Sequence, residues 1–454
     1  MFYASLIELD ALFSIILIIV FALYSLKSTL NLDLGCVYMY CRILPLIYVA
    51  PQISDKLVES YSFGSLISET SYISTLNNGN IIDVLLALLL FVIMASFSSF
   101  ESVLLLLFAF IAQYFMLHSI DLLTFYIALE AQNFCFLVLC GLSTTREGSS
   151  FSVEAALKFM LLSAFSSGVI LFWFSTVYLQ TGLSILDNTY IQSFSFLVAI
   201  MFKIGAAPLH LWVIQIYSSV KRGLLMYVAT APKLSLFGWM FNSFHGLWTV
   251  NFPSLGGLNY SVLLFAAFSL VLGSLGAYSQ PTLRALFAYS TVNELGLMLM
   301  AMETAGFHSL FQHLGLYIIA QVLLWNMYDK RFFTIVAVSL AGLPPLAGFF
   351  GKAWIFWHTG VVGLYTILAG ALFCTVISLV YYLRVLRLFW DTGSYRVVPM
   401  RSLTETNSML YSYKTPILGS RVDVIPTNNR VMLTSVCTVL LIFLPLFVIK
   451  PFIL

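Results

Sequence analysis

The sequence predicts an all-α polytopic membrane protein of about fourteen transmembrane helices, and three observations predict it. Hydrophobic residues make up 61% of the 454 residues and charged residues only 9%, far outside the range of soluble domains. Apolar runs of about 20 residues, the length that crosses a hydrocarbon core, recur between turn signals along the chain. Basic residues crowd onto alternate connections between those runs, as the positive-inside rule requires of a correctly counted bundle.

In chain order the spans fall near 11–27, 34–50, 83–100, 102–120, 121–142, 155–180, 190–214, 224–248, 259–280, 282–302, 307–328, 331–357, 361–388 and 431–450. The second contains Arg42 and Pro45 and runs into a polar stretch at 51–80. A second polar stretch, 391–430, holds Arg396, Arg401, Lys414, Arg421 and Arg430 and reads as an extramembrane loop. The first span follows Glu8 and Asp10 rather than a basic segment, with no small-residue cleavage site after it, so it is expected to be retained. The whole is one membrane domain: N-terminal helices and a polar connection over 1–100, repeats over 101–250 and 251–390, and a loop with a last helix over 391–454.

Of the 21 basic residues, those in or beside connections after odd-numbered spans are Lys27, Arg146, Lys158, Lys221, Arg222, Arg284, Lys330, Arg331, Arg384, Arg387 and the five of the 391–430 loop. Only Lys56 and Lys450 fall on the other side, and Arg42, Lys203, Lys233 and Lys352 lie within spans. One helix missed or invented in the middle would destroy that asymmetry. Both termini are therefore expected to face outward.

Several function classes are excluded. Cys36, Cys41, Cys135, Cys140, Cys374 and Cys437 show no C-x-x-C spacing and no paired ligands, so neither an iron–sulfur cluster nor a zinc site is supported. A net charge of +2 from dispersed basic residues makes no nucleic-acid face. The sequence contains no nucleotide-binding loop and no nucleophile triad, and no bound cofactor is expected.

What remains is charge inside the membrane. A lysine at mid-bilayer costs at least about 2.5–3.5 kcal/mol, so it persists where it faces the bundle interior with a partner or water. Lys203, Lys233 and Lys352 lie well inside spans, as do Glu130 in "YIALEAQNF" and Glu294 in "YSTVNELGL". Any one of them alone reads equally well as a snorkelling side chain or a structural ion pair. Five in five central helices point to proton transfer, because burial disfavours the charged form and an opposite charge restores it.

Two breaks accompany them. "KIGAAPLHLW" puts Gly205 and Pro208 just after Lys203, and "AGLPPLAGFFGK" puts Pro344 and Pro345 just before Lys352. Proline removes a backbone donor and clashes with the preceding turn, so helices 7 and 12 are predicted to be interrupted near the bilayer centre. Interrupted helices at matching places in two halves suggest inverted five-helix repeats, here spans 4–8 and 9–13; the plainer alternative is a proline kink in a packing helix. His210 and His313 are further candidates for the path, weighed against a histidine simply hydrogen-bonded across helices. Glu154 with Lys158, and Arg384 with Arg387, read as interfacial anchors.

These segments resemble the antiporter-like membrane subunits of respiratory complex I over roughly residues 100–390. "HSIDLLTFYIALEAQNF" is similar to the family's fifth helix, "VEAALKFMLLSAFSSGVILF" to its sixth, "FKIGAAPLHLW" to its seventh, "ATAPKLSLFGWM" to its eighth, "LRALFAYSTVNELGLM" to its tenth and "SLAGLPPLAGFFGK" to its twelfth. The resemblance implies that Glu130, Lys203, Lys233 and Lys352 form a hydrated proton axis worked by Glu–Lys pairing and unpairing. It implies no cofactor in this chain, with NADH, FMN, iron–sulfur clusters and ubiquinone bound by other subunits. It further implies other membrane-arm subunits and lipid as partners, no nucleic acid, and residence in the mitochondrial inner membrane, or else a bacterial plasma membrane or plastid thylakoid. The chain departs from the family in two places. "VIQIYSSVKRG" lacks the usual prolines and acid after helix 7, and Glu294-Leu295-Gly296 replaces His-Met-Gly in helix 10, which leaves the role of Glu294 open. A cation/proton antiporter of the Mrp type shares the Lys/Glu pattern and is the alternative; a scaffold that has lost conduction is a third reading.

Overall fold

The computed structural model describes residues 70–390 except 95, 98–99, 120, 143–148, 183–193, 251–257, 305 and 327–329, together with the single residues Pro45 and Leu441. Among the described residues there are thirteen helices: α1 Thr70–Met94, α2 Phe100–His118, α3 Leu122–Leu142, α4 Ser149–Thr181, α5 Phe194–Ile204, α6 Leu211–Ser219, α7 Arg222–Val250, α8 Leu258–Ser279, α9 Leu283–Glu303, α10 Phe307–Asn326, α11 Lys330–Ala341, α12 Ala347–Val362 and α13 Tyr365–Trp390. Eight are long and apolar enough to cross a membrane. In lipid a backbone must satisfy its own hydrogen bonds, which is why the apolar runs are helical throughout.

Spans 3 to 13 of the sequence reading each find their helix, or pair of half-helices. Spans 11–27, 34–50 and 431–450 and the 391–430 loop lie outside the described residues, Pro45 and Leu441 apart. Two boundaries need correction. The helix that carries the third span begins at Thr70, but its apolar part is Ile82–Met94, so the expected start near 83 holds and the end falls at Met94 and not near 100. The thirteenth begins at Tyr365, because the twelfth runs on to Val362 and stops at Gly363, whose φ of +88° and N–H bonded to Gly360 and Thr359 carbonyls close the helix.

Burial ranks the helices. α7 and α9 are 94% buried along their apolar windows, whereas α3 and α4 are 39% and α13 is 33% buried. The outer helices present Phe134, Phe165, Phe172, Phe373 and Leu179 outward, the surface lipid requires. α8 and α9 pack most closely. A Cβ on Gly273 or Gly296 would run into the Asn293 or Leu270 backbone across that contact, the close approach that small residues allow in membranes.

Contacts between connections define the two ends of the bundle. Arg284, before α9's first full turn is complete, donates to the Ser218 and Val220 carbonyls at the end of α6. Arg384 donates to the Tyr278 carbonyl at the end of α8 and lies over the Tyr278 ring. That end also holds Lys221 and Arg222 in the α6–α7 connection. At the opposite end Asn242 meets the Leu117 carbonyl, and the Gly306 turn lies against His358. The basic residues of these connections thus gather at one end of the bundle, the asymmetry expected from the sequence.

Candidate functional site

Both predicted interruptions are present. α5 ends at Ile204 and α6 starts at Leu211; α11 ends at Ala341 and α12 starts at Ala347. Each first half-helix stops at a glycine in the left-handed region, Gly205 at φ +87° and Gly342 at φ +80°, a conformation that costs an L side chain but not glycine. Pro208 and Pro345 follow, each after a cis peptide bond. The carbonyls freed at the first break find a partner in Trp212, whose indole N–H donates to the Phe202 carbonyl at 3.0 Å. At the second break the donor is Lys352 itself, 2.7 Å from the Leu340 carbonyl. Both lysines thus sit at the electronegative C-terminal end of a half-helix: Lys203 in the last turn of α5, Lys352 reaching back to α11.

Each lysine also meets a carboxylate. Lys203 Nζ lies 3.2 Å from Glu130 Oε1, and the same oxygen accepts from Asn133 at 3.1 Å. Lys352 Nζ lies 2.8 Å from Glu294 Oε1, while His313 Nε2 lies 3.0 Å from Glu294 Oε2. Glu294, left open by the sequence, therefore joins two other candidate residues in one buried triad. Its carboxylate has a cation on each oxygen when His313 is protonated, the arrangement a buried charge needs.

Lys233 stands between the two groups. Its ammonium donates to the Tyr317 hydroxyl at 2.8 Å and lies 4.9 Å from that ring's centroid. The carboxylate whose charge reaches it is Glu294. Toward the other side, a cavity of about 40 Å³ is walled by Lys203, Lys233, Gln132, Asn133, Tyr217 and Trp212. Leu129, Phe136, Phe159 and other apolar side chains make up most of its lining, so Lys203, Lys233, Gln132 and Asn133 are the polar groups that a water there would meet. Pro232 also lines it, and having no N–H it leaves the Val228 carbonyl of the same helix without its ladder donor.

His210, by contrast, is not drawn into this row. Its Nδ1 lies 3.3 Å from the Pro208 carbonyl and its ring packs 5.6 Å from Tyr289, which makes it a side chain that steadies the turn. Tyr317, Asn133 and Pro232 are the members that sequence reasoning missed. Pro232 was visible beside Lys233; Tyr317 gains its meaning only from the packing of α7 on α10.

The segment after the first break lacks the family's prolines, and the structure shows what turns the chain instead. Arg284 binds the last carbonyls of α6, so a cation from α9 supplies the stop.

Residues 119–330 match the family described as "NADH:quinone oxidoreductase/Mrp antiporter, TM". The chain is similar in fold to a chain of respiratory complex I from Thermus thermophilus, with a TM-score of 0.67 at 22% identity, covering 90% of this chain and 93% of that one. It is also similar to a chain of the Mrp complex from Dietzia sp., with a TM-score of 0.66 at 16% identity over 81% of this chain and 80% of that one. A Chlamydomonas reinhardtii protein named NADH-ubiquinone oxidoreductase chain 2 is 45% identical over 98% of this chain and 100% of its own length. On that identity, held along nearly the whole of both chains, the protein belongs to the NADH-ubiquinone oxidoreductase chain 2 family.

Proposed function

We propose that the chain is a proton-translocating membrane-arm subunit of an NADH:ubiquinone oxidoreductase, of the mitochondrial inner membrane. The observation that carries this reading is the row Glu130, Lys203, Lys233, Glu294, Lys352, linked by the cavity between the first two lysines and by Tyr317 beyond them. The row crosses the two most buried helices, where lipid and bulk water are both excluded. Protons move along it as each Glu–Lys pair opens and its lysine passes a proton to the neighbouring group through water. The energy comes from quinone reduction in other subunits, which hold the NADH, FMN, iron–sulfur clusters and ubiquinone.

The finer architecture belongs to the same reading: fourteen spans, with inverted repeats over spans 4–8 and 9–13. Its support is that both halves use the same plan, a glutamate on the second helix of the repeat and a lysine on its interrupted fourth. A groove between α3 and α4, lined by Tyr126, Glu130, Met160 and Ser167, opens Glu130 to the side of the bundle. A carboxylate reachable from lipid is costly, so another membrane-arm subunit covers this face.

The test is proton translocation by the intact complex in vesicles. Lys203→Ala and Glu130→Ala are expected to lower the protons moved per NADH oxidised, and full pumping by both variants would make the chain a scaffold. The Mrp-type exchanger remains the second reading, favoured by the shared family and fold. Purification with sodium/proton exchange and without NADH:quinone oxidoreductase activity would establish it.

A further inference from the structure

The proposed proton path uses the inside of the bundle and gives no part to the outer faces of α8 and α13, which pack against each other. Both helices run toward the basic end, where the guanidinium of Arg384 meets the last turn of α8. Arg384 and Arg387 are the only charged residues in either helix. Each helix carries an exposed apolar ridge leading to that end: Phe268, Val271 and Leu275 on α8, and Phe373, Val376 and Val380 on α13. The spacing i, i+3, i+7 keeps each ridge on one face of its helix.

The ridges have the depth of one leaflet. Phe373 to Arg384 spans about 16 Å of helix, and half a hydrocarbon core is about 15 Å. Toward the basic end the side chains change as a bilayer surface does, from the apolar ridges to Tyr278 and then to the two arginines. Within Phe268–Ala277 and Phe373–Leu383, Thr375 is the one polar side chain that is not buried, and its hydroxyl donates to the Leu372 carbonyl at 2.8 Å. Along its apolar length the face therefore offers a partner helix no side-chain hydrogen bond, unlike the α3–α4 groove with its carboxylate.

Arg384 is set in place before any ligand arrives. Its N–H donates to the Tyr278 carbonyl at 3.1 Å and its guanidinium lies 4.3 Å over the Tyr278 ring, so α8 fixes the plane of the fork. That bond uses one of the five donors of an arginine, and the side chain stays exposed. Arg387, also exposed, follows three residues on along the same side of the helix, close enough for both to meet one phosphate. A snorkelling arginine needs no such fixed plane and takes any headgroup. We infer that the outer face of α8 and α13 binds an anionic phospholipid, its phosphate held by Arg384 and Arg387 and its acyl chains laid on the two ridges.

The test uses the intact complex in vesicles of phosphatidylcholine and phosphatidylglycerol in equal parts, with a trace of one or the other lipid carrying a photoactivatable group on its acyl chain. Label on peptides of α8 and α13 is read by mass spectrometry. The phosphatidylglycerol probe is expected to label them more than the phosphatidylcholine probe, by about fivefold for each arginine that holds it. Arg387→Gln, which leaves the Arg384–Tyr278 contacts in place, should lower that preference about fivefold, and the double variant Arg384→Gln, Arg387→Gln should abolish it. Equal labelling by the two probes in the wild type would make these lipids an ordinary annulus and overturn the site. Labelling by neither probe would overturn it as well, with another subunit covering the face. Should the double variant fail to assemble, Arg387→Gln decides: a preference as large as the wild type's refutes the site. Proton translocation plays no part in the readout, so the result stands apart from the proposed function.

Discussion

Glu130 and Glu294 each meet a lysine carried by an interrupted helix, at 3.2 Å and 2.8 Å, yet their surroundings differ. The Glu130 side chain is 18% exposed and opens onto a groove at the side of the bundle; that of Glu294 is 2% exposed and has His313 on its second oxygen. Lys203 has a second, long contact at 3.5 Å with the Ser163 carbonyl, whereas Lys352 is held at 2.7 Å by the Leu340 carbonyl. The same pair of residue types is therefore loose and reachable in one half, tight and sealed in the other. On the proposed path the loose pair is the one that opens more readily, and the sealed triad the one that holds its charges more firmly.

The largest effect is expected where the seal is tightest. Glu294→Gln leaves Lys352 buried without its counter-charge, a change that costs about 3–5 kcal/mol; it should reduce the assembled complex on native gels and stop proton movement through this chain. If Glu294→Gln assembles and pumps normally, the sealed triad has been misjudged. Glu130→Gln removes a partner that water and a neighbour partly replace, so a cost of about 1–2 kcal/mol is expected, with assembly retained and pumping reduced. Equal assembly defects in the two variants would erase the contrast between them.

Gly205→Ala sharpens the comparison at the breaks. Its Cβ would meet the Val213 side chain at 2.6 Å with φ at +87°, for which about 1–2 kcal/mol is expected, read as a lower melting temperature of the complex. Tyr317→Phe keeps the ring beside Lys233 and removes only its hydroxyl. It should cost about 1 kcal/mol in stability and slow pumping, while leaving both ion pairs intact. The smallest effect belongs to Glu154 and Lys158, whose pair lies on the exposed face of α4: alanine at both positions should shift stability by less than about 0.5 kcal/mol.

Much of this was legible in the sequence because membranes punish unexplained polarity. Lys203, Lys233, Lys352, Glu130 and Glu294 stand out against apolar runs, and Gly205, Pro208, Pro344 and Pro345 mark the breaks by backbone chemistry alone. Glu294 was visible as a charge, but its pairing with Lys352 across 58 residues required the packing of α9 on α12. Tyr317 looked like any aromatic residue of a packing helix. The cap on α6 was hidden for the same reason, since Arg284 reads as one more basic residue of a connection until the fold places it over the Ser218 and Val220 carbonyls. α1 starts at Thr70, well before its apolar span at Ile82, because polarity marks the end of a bilayer, not the end of a helix.

The central claim is that the loose pair and the sealed triad are two stations of one path joined through Lys233. Lys233→Met tests it most directly, since it removes the joining ammonium and leaves Glu130–Lys203 and Glu294–Lys352 in place. The measurement is protons translocated per NADH oxidised by the intact complex in sealed vesicles. The account predicts a fall as large as that caused by losing Lys203 or Lys352; a wild-type ratio in an assembled Lys233→Met complex would contradict it.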